Sequence, residues 1–379
     1  MVANKFNNEV LCGFFDADGS FVARVYYLTK KPLGMSMKIA FSQKDAYVLK
    51  AVFKTLGVPS TAAINKRKHL LPSGKTSTSN SKEFAFSKPA SKLMLSVWEK
   101  TPPNAPTKYL DYKICLILDE AQKSQKNEIT VINRLLPNET VDLRVACLSL
   151  LYLRFQMFGK VKPNRNPNLI PIEDYYQGVN ATQVEIDESR RIGQLLFDIV
   201  QQDLTQHVIS VTPAYLLGYH IGDGCFSIGA SFNAETNTQF RGNFLWKLTD
   251  CKENKPLLEV IKQFLENNGV VFGPCCWKDS GTYVDLELTT LPAIKQLVDL
   301  FEQWGARNVF PKVRLNQFEC FAEAYSLYND PNFRDDLAMC QRFIDLKWKI
   351  NPGTNSKKKG SHAEDTILLQ NWFNNKAKS

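Results

Sequence analysis

The chain has 379 residues, a formal net charge of +9 and a sequence pI of about 8.9. This length allows a sizeable core in each of two domains, and the positive charge favours a polyanionic partner. Nine cysteines without a CxxC pair and only four histidines exclude a recognisable zinc site. The apolar runs are too short for a bilayer span, so we expect no membrane partner. The odd cysteine count and an N-terminus without a secretory signal predict a reducing compartment.

The first predicted element is an apolar segment, residues 11–19, that ends in an acid beside a glycine. It carries two small residues four positions apart, Gly13 and Ala17, and the acid is Asp18. Residues four apart share one face of a helix. The segment therefore predicts a helix with a flat stripe that another helix backbone can approach closely.

A similar segment, residues 216–224, recurs 205 positions later (223 − 18). Its small residues are Gly218 and Gly222, and its acid is Asp223. If the two helices pack through their stripes, Asp18 and Asp223 lie side by side at one end of the contact. Two such carboxylates repel each other unless a divalent cation lies between them. The repeat therefore predicts a paired-acid metal site on a pseudo-two-fold axis.

Similar elements follow each motif in the same order, which indicates an internal repeat. Period-two alternation predicts two strands in each half, at 20–26 and 35–43 and at 225–232 and 241–249. Amphipathic helices ended by glycine follow at 45–57 and 254–269. Two more strands and two helices complete each half, with the last helix near Lys108 or Lys312, an offset of 204 (312 − 108). The prediction is an α+β protein with the order αββαββα, twice.

The segment between the halves is too long for a plain linker. It contains a helical pattern at 138–158, a Pro/Asn-rich loop at 162–171 and a charged amphipathic stretch at 184–204. It is either a helical linker packed on the outside or an accessory nucleic-acid contact through Lys160, Lys162 and Arg165. The Lys357–Lys359 run predicts a solvated basic extension. The predicted organisation is a first repeat at 1–120, a helical linker at 121–211, a second repeat at 212–346 and a basic C-terminal tail at 347–379.

The two acid-terminated motifs resemble those of the LAGLIDADG homing endonucleases, in the single-chain form that carries two motifs. The first copy matches closely, and the second departs at its sixth position, where Ile221 replaces an acid. The metal-binding acid of the family is the eighth position, which is filled here by Asp18 and Asp223. The resemblance implies two pseudo-symmetric αββαββα repeats that form a DNA-binding saddle.

The resemblance also implies an activity. A monomer of this family makes a double-strand break in a long DNA target with Mg²⁺ or another divalent cation such as Mn²⁺, and leaves short 3′ overhangs. By analogy, this chain would be encoded within an intron of an organelle genome, mitochondrial or chloroplast, and would promote intron mobility. The alternative is an RNA-binding maturase that assists splicing of a group I intron. A transcription regulator on the same fold predicts an added helix-turn-helix, for which the sequence shows no persuasive signal.

Phosphodiester hydrolysis requires a positioned water and charge relief in the transition state. We predict Asp18 and Asp223 as the catalytic metal ligands, together with the residues before them, Ala17 and Gly222. The other interpretation is that both acids only end a helix before a glycine turn. The resemblance implies three further catalytic residues around the acids, namely Gln43, Lys108 and Lys312. The counterpart of Gln43 in the second half remains open among Thr249, Asp250 and Lys252.

DNA reading requires side chains on one exposed face of a sheet, because a β-ribbon fits the major groove. If Phe21, Ala23 and Val25 face the core, the alternate residues face outward. The predicted DNA-binding residues are Ser20, Arg24, Tyr26, Ser36 and Lys38 in the first half and Ser227, Ser231, Arg241, Asn243 and Lys247 in the second. A basic loop supplies predicted phosphate contacts at Lys66, Arg67, Lys68 and Lys75. Each of these residues is otherwise an ordinary solvated strand or loop position.

His220 lies three residues before Asp223, where it is either a metal ligand or a buried packing histidine. A closely packed helix face favours the packing role.

Overall fold

The computed structural model describes residues 6–26, 34–43, 46–57, 65–70, 76–85, 88–122, 127–159, 172–232, 240–350 and 361–376. The chain divides into two compact units. The central unit comprises Asp18–Ser210, and the terminal unit combines Met1–Ala17 with Val211–Ser379. The first motif helix, α1, spans Asn8–Asp18, so nearly all of it belongs to the terminal unit.

The central unit contains a four-stranded antiparallel sheet in the order β1-β2-β4-β3. The strands are β1 (Gly19–Tyr26), β2 (Gly34–Gln43), β3 (Asn65–Leu70) and β4 (Thr76–Ala85). Three helices accompany the sheet, namely α2 (Ala46–Leu56), α3 (Lys88–Lys100) and α4 (Pro106–Ala121). Phe21 of β1 is buried against Trp98 of α3 and Tyr112 of α4, with ring centroids 5.1 and 6.4 Å away. These rings anchor both helices on the inner face of the sheet.

The described residues of the segment between the two halves form four helices of the central unit. They are α5 (Asn127–Leu135), α6 (Leu143–Gly159), α7 (Ile172–Gly178) and α8 (Gln183–Gln206). Helix α8 begins with a capping box in which Thr182 and Glu185 satisfy each other's backbone N–H groups. It packs on α4, where Lys113 pairs with Asp203 at 2.8 Å. The helical linker is therefore a packed layer, while Lys160, Lys162 and Arg165 lie outside the described residues.

The terminal unit repeats the first sheet with the strand order β5-β6-β8-β7. The second motif helix is α9 (Pro213–Asp223), and the strands are β5 (Gly224–Phe232), β6 (Phe240–Cys251), β7 (Trp277–Asp279) and β8 (Tyr283–Leu288). The following helices are α10 (Lys255–Asn267), α11 (Leu291–Gln303), α12 (Ala306–Val309), α13 (Lys312–Tyr328), α14 (Leu337–Lys349) and α15 (His362–Lys376). Both sheets therefore have the predicted α+β order, with extra helices added. None of the helices in the described ranges has the length and apolarity needed to cross a membrane.

The C-terminal tail packs on the terminal unit through α15, contrary to the prediction of a solvated extension. Leu369 and Trp372 of α15 are buried, and the Trp372 ring lies 5.8 Å from the ring of Phe240 in β6. Lys347 of α14 pairs with Asp365 of α15 at 2.6 Å in a buried position. The prediction of a solvated extension is therefore wrong for residues 362–376, because an apolar face docks this helix. The Lys357–Lys359 run lies outside the described residues.

Candidate functional site

The two motif helices touch through their glycines, as the small-residue stripes predicted. A β-carbon at Gly13 of α1 would lie 2.8 Å from the backbone nitrogen of Tyr219 in α9. A β-carbon at Gly218 of α9 would lie 2.8 Å from the carbonyl carbon of Val10 in α1. The neighbours are backbone atoms, so no side-chain rearrangement could relieve either clash. Only glycine permits this approach.

Hydrogen bonds between described residues cross the helix contact. The Tyr215 hydroxyl of α9 donates to Asp16 Oδ2 of α1 at 2.6 Å, and both residues are buried. The Thr212 hydroxyl donates to Glu9 at 2.9 Å. Burial and the nearby charge of Asp16 raise the pKa of Tyr215 well above its usual value, so the hydroxyl remains a donor. Asp16, the acid that the second motif replaces with Ile221, therefore serves as a hydrogen-bond acceptor inside the helix contact.

The last residue of each motif helix is the predicted metal-binding acid. Asp18 ends α1 and Asp223 ends α9, and both are partly exposed. Asp18 and Asp223 are therefore more accessible to solvent than Asp16, which is buried two residues before Asp18. A glycine follows each acid and begins the first strand of its sheet. The predicted placement at the helix ends is confirmed, and the metal-binding role remains a prediction.

A cationic side chain holds the backbone beyond each acid. In the central unit, Lys108 Nζ of α4 donates to the carbonyl oxygen of Gly19. In the terminal unit, the guanidinium of Arg314 in α13 donates to the carbonyl oxygens of Ile221, Gly222 and Gly224, each at 2.9 Å. Gly19 and Gly224 follow the two acids, so Arg314 occupies the position of Lys108.

Aromatic packing confirms this alignment of the last helices. Tyr112 packs on Phe21 of β1, and Phe318 packs on Phe226 of β5 with ring centroids 5.8 Å apart. Phe318 lies 206 residues after Tyr112 (318 − 112), the same offset as Arg314 from Lys108 (314 − 108). The prediction of Lys312 as the second pocket cation used an offset of 204. Lys312 is instead the exposed first residue of α13.

Strand register identifies the counterpart of Gln43. Gly19 pairs with Phe41 in the first sheet, and Gly224 pairs with Leu248 in the second. Two residues beyond these partners lie Gln43 and Asp250, respectively. Of the three alternatives that the sequence left open, register selects Asp250. The first hairpin has eight residue pairs and the second has nine, so each paired strand is one residue longer in the second half, which moves the offset from 205 (224 − 19) to 207 (248 − 41).

Asp250 is held in place by its own unit. It accepts a hydrogen bond from the Tyr219 hydroxyl of α9, and the Asn254 amide nitrogen lies 3.1 Å from each carboxylate oxygen. Burial, together with the charges of Asp250 and Asp223, raises the pKa of Tyr219 well above its usual value. Tyr219 therefore stays protonated and orients the Asp250 carboxylate.

His220 is a packing residue, in agreement with the favoured interpretation. It is fully buried, and its Nδ1 accepts a hydrogen bond from Trp246 Nε1 at 3.1 Å. The rings of Phe226 and Phe310 lie 4.5 and 5.4 Å from the imidazole. Burial and the nearby Arg314 charge lower its pKa well below the usual value, so the ring is neutral.

Solved structures with a similar fold cover nearly the whole chain. I-CpaMI, a LAGLIDADG meganuclease bound to uncleaved DNA, matches with a TM-score of 0.60 at 16% identity, covering 92% of this chain and 100% of its own. I-LtrWI, a LAGLIDADG homing endonuclease bound to target DNA, matches with a TM-score of 0.59 at 15% identity over 91% and 97%. I-SmaMI bound to uncleaveable DNA matches with a TM-score of 0.58 at 15% identity over 93% and 99%.

The chain has the LAGLIDADG homing endonuclease fold. The similarity lies in the three-dimensional structure, because no protein-family model and no curated protein matches the sequence. The resemblance that the two motifs carried is thereby confirmed for the fold.

The second sheet of this LAGLIDADG fold has the predicted outward residues on its exposed face. Ser231, Arg241 and Asn243 are exposed, and Ser227 and Lys247 are half-buried. The alternate positions Phe226, Ile228, Phe244, Trp246 and Leu248 are buried. The face also carries Thr249, Lys278, Asp285 and Glu287, none of which was predicted to contact DNA. The alternation of Asp285 and Glu287 in β8 could be recognised from the sequence. Lys278 lies in β7, which has only three residues and gives no periodic signal.

In the first sheet, strand register places the predicted residues in matching positions. Arg24 pairs with Ser36, and Ser20 pairs with Ala40, alternating with the pair Phe21–Ile39, whose side chains are both buried. Tyr26 and Lys38 follow the same alternation, and Ser20 is exposed. Ala40, the partner of Ser20 on the same alternation, is buried, so the outward pattern does not extend to this position. Lys66, Arg67 and Lys68 lie in β3, and Lys75 lies outside the described residues.

Proposed function

We propose that the protein is a site-specific endonuclease that binds a long double-stranded DNA target and makes a double-strand break with divalent cations. The observation that carries the proposal is the pair of glycine-packed motif helices, each of which ends in a partly exposed aspartate. The DNA complexes of I-CpaMI and I-LtrWI support it, since both share this fold over more than nine-tenths of the chain. The net charge of +9 suits a polyanionic substrate.

The two acids suit Mg²⁺ or Mn²⁺. Magnesium is usually held by one or two carboxylates and keeps several waters or substrate phosphate oxygens as its other ligands. Among the described residues, no three His, Cys, Asp or Glu side chains form a larger metal-binding cluster. Asp18 and Asp223 would each supply carboxylate oxygens of this kind. The bound cation would activate water and neutralise charge on the scissile phosphate.

The surrounding residues would position these acids. Arg314 fixes the backbone on both sides of Asp223, and Lys108 holds the carbonyl after Asp18. The Gly222 oxygen already accepts from the Arg314 guanidinium, so this carbonyl would contribute weakly to a cation site. Asp250, oriented by Tyr219, and Gln43 would order solvent in their respective halves.

The biological role follows from the same proposal. We propose that the reading frame lies within an organellar intron and that the protein acts as a monomer on the intronless allele. The DNA on either side of the reading frame would then contain an intron whose exon junction is the target.

The test begins with selection of a cleavage target from a randomised duplex library by the full chain in Mg²⁺. We expect a single extended target, its cleavage in Mg²⁺ or Mn²⁺, and no cleavage in EDTA. The Asp18→Asn, Asp223→Asn double variant should bind the target with unchanged affinity and leave it intact. The absence of any selected DNA would refute the proposal, and selective binding of the flanking intron RNA without DNA cleavage would favour the maturase.

A further inference from the structure

Two ion pairs cross the strands on the exposed face of the second sheet. Lys247 Nζ in β6 lies 3.1 Å from Asp285 Oδ2 in β8. Lys278 Nζ in β7 lies 2.5 Å from Glu287 Oε2 in β8. Both lysines share this face with Arg241 and Asn243, which were predicted to contact DNA. Carboxylates are unexpected on a surface for a polyanion, because they repel phosphate.

In both pairs the acid lies deeper than the lysine. The Lys278 side chain is 63% exposed and that of Glu287 is 5% exposed. The corresponding values are 30% for Lys247 and 18% for Asp285. The second oxygen of Asp285 accepts a hydrogen bond from the Thr249 hydroxyl at 2.5 Å. The carboxylates are thus engaged by the protein, while each ammonium group has three N–H donors, more than its ion pair uses.

The pairing changes what these lysines can do on DNA. A phosphate contact gains its energy from releasing counterions, and a lysine that a carboxylate already neutralises releases few. A lysine held in one orientation, in contrast, has lost its conformational freedom before binding and can donate to guanine O6 or N7 in the major groove. Hydrogen bonding to Glu287 also raises the pKa of Lys278, which keeps that donor charged.

We propose that Asp285 and Glu287 are specificity-determining residues that fix Lys247 and Lys278 as guanine-reading lysines on the exposed face of the second sheet. This inference rests on the proposed DNA-binding function and names the base that two positions of its target contain. The polar residues Ser227, Asn243 and Thr289 line one groove with Lys278 and Glu287, so a base edge there meets further hydrogen-bonding groups.

The experiment compares Asp285→Asn and Glu287→Gln with the wild-type chain. The measurements are selection from a randomised duplex library, affinity for the selected and for unrelated DNA against salt concentration, and thermal stability. The matched control is Asp299→Asn in α11, which adds the same charge and breaks the exposed Lys295–Asp299 pair at 2.5 Å. Helix α11 packs on the inner face of the sheet through Phe301 and Trp246.

Each acid variant should show two opposite effects. The released lysine should strengthen binding to unrelated DNA and steepen its salt dependence by about one unit of slope. Preference for guanine at one target position should fall by roughly 5- to 150-fold. The control should retain both the wild-type preference and the wild-type slope. Lys247→Met and Lys278→Met should lose the same guanine preferences with the salt slope nearly unchanged, which tests the proposal even if an acid variant folds poorly.

The outcomes separate this inference from the proposed function. A wild-type chain that selects no DNA sequence overturns the proposed function, and the inference with it. A wild-type chain that selects a target, with acid and lysine variants that keep the same preference at every position, overturns the inference alone. Loss of affinity for all DNA in the lysine variants would show that Lys247 and Lys278 are phosphate contacts, which also overturns it.

Discussion

The backbone beyond each motif helix is held differently in the two units. In the central unit, Lys108 donates to the carbonyl oxygen of Gly19. In the terminal unit, Arg314 donates to three carbonyl oxygens around Asp223. Arginine can do this because its planar guanidinium carries five donors in a fixed fork, whereas lysine is a point charge on a flexible stem.

The neighbouring polar residue differs as well. Register places the neutral Gln43 in the first half where the second half has Asp250. The repeat has thus preserved the strand order and the acid at the helix end while its surrounding side chains have diverged. The repetition in this chain lies in the order of its strands and helices, and the chemistry around each acid must be established separately.

The largest expected effect is the loss of stability when the glycine contact between the two motif helices is filled. Gly13→Leu and Gly218→Leu should each destabilise the protein by at least about 3 kcal/mol, because overpacking here pushes against backbone atoms that cannot move aside. The measurement is chemical denaturation of each variant. Gln263→Leu on the exposed face of α10 is the control and should change stability by less than about 0.5 kcal/mol. A more stable Gly218→Leu protein would contradict the observed helix contact.

The second prediction sharpens the difference between the two cations. Arg314→Ala should cost about 2–3 kcal/mol of stability, since hydrogen bonds to charged groups are the stronger ones and three carbonyls lose their donor. Lys108→Ala should cost less, because an ammonium group on a flexible stem holds the Gly19 carbonyl less rigidly than a guanidinium fork holds its acceptors. Arg314→Lys should recover only part of the loss, as lysine cannot reach three acceptors in that geometry. If urea denaturation shows equal losses of unfolding free energy for Arg314→Ala and Lys108→Ala, the two cations do not differ in how they hold the backbone.

The third prediction addresses the acid that only the first motif carries. Tyr215→Phe should cost about 1.5–2 kcal/mol, because it leaves the buried Asp16 carboxylate without its 2.6 Å donor. Asp16→Asn should cost a similar amount, and the double variant should cost less than the sum of the two. A double-mutant cycle in urea measures this coupling. Strict additivity would mean that the hydrogen bond contributes nothing.

The smallest predicted effect is the pH dependence from His220. Its pKa lies well below 6.5 in the folded protein and near 6.5 in the unfolded chain. Below pH 6.5 the unfolded chain therefore binds a proton that the folded protein excludes. Stability should fall as the pH decreases, by about 1 kcal/mol between pH 6.5 and 5.5 from this residue alone. Urea denaturation at several pH values should show a shallower decline for His220→Gln than for the wild type.

A second, half-buried histidine in the other unit should contribute to the same pH dependence. Burial also lowers the pKa of His207, whose ring stacks on Tyr109 at 3.8 Å. His207→Gln should therefore remove a further part of the decline. If His220→Gln follows the wild-type pH profile, the imidazole is not buried as a neutral ring.

Much of the fold could be predicted from sequence because its signals are local. The small residues at Gly13 and Gly218 lie on one helix face by spacing alone, and strand alternation identified the exposed and buried positions of β5 and β6. The helix positions of Asp18 and Asp223 followed from the same motifs.

The errors arose where an insertion changed the offset between halves. The second hairpin contains two more residues than the first, so the sequence alone did not identify Asp250 as the counterpart of Gln43. A similar change in offset led to the prediction of Lys312 instead of Arg314 as the counterpart of Lys108. Register depends on the lengths of the paired strands as well as on the alternating pattern, and the pattern does not show where a strand of one half is longer than its counterpart. The packed α15 was missed for another reason. Its apolar residues become meaningful only against the Lys347 and Phe240 side chains that they cover.

We propose that cleavage requires both Asp18 and Asp223 although their surroundings differ. The most direct test is cleavage of a supercoiled plasmid carrying the selected target by Asp18→Asn and Asp223→Asn as single variants, in Mg²⁺ and at matched DNA occupancy. We expect each variant to bind with wild-type affinity and to give no linear product. Formation of linear plasmid by either variant at the wild-type rate would show that cleavage does not require both acids.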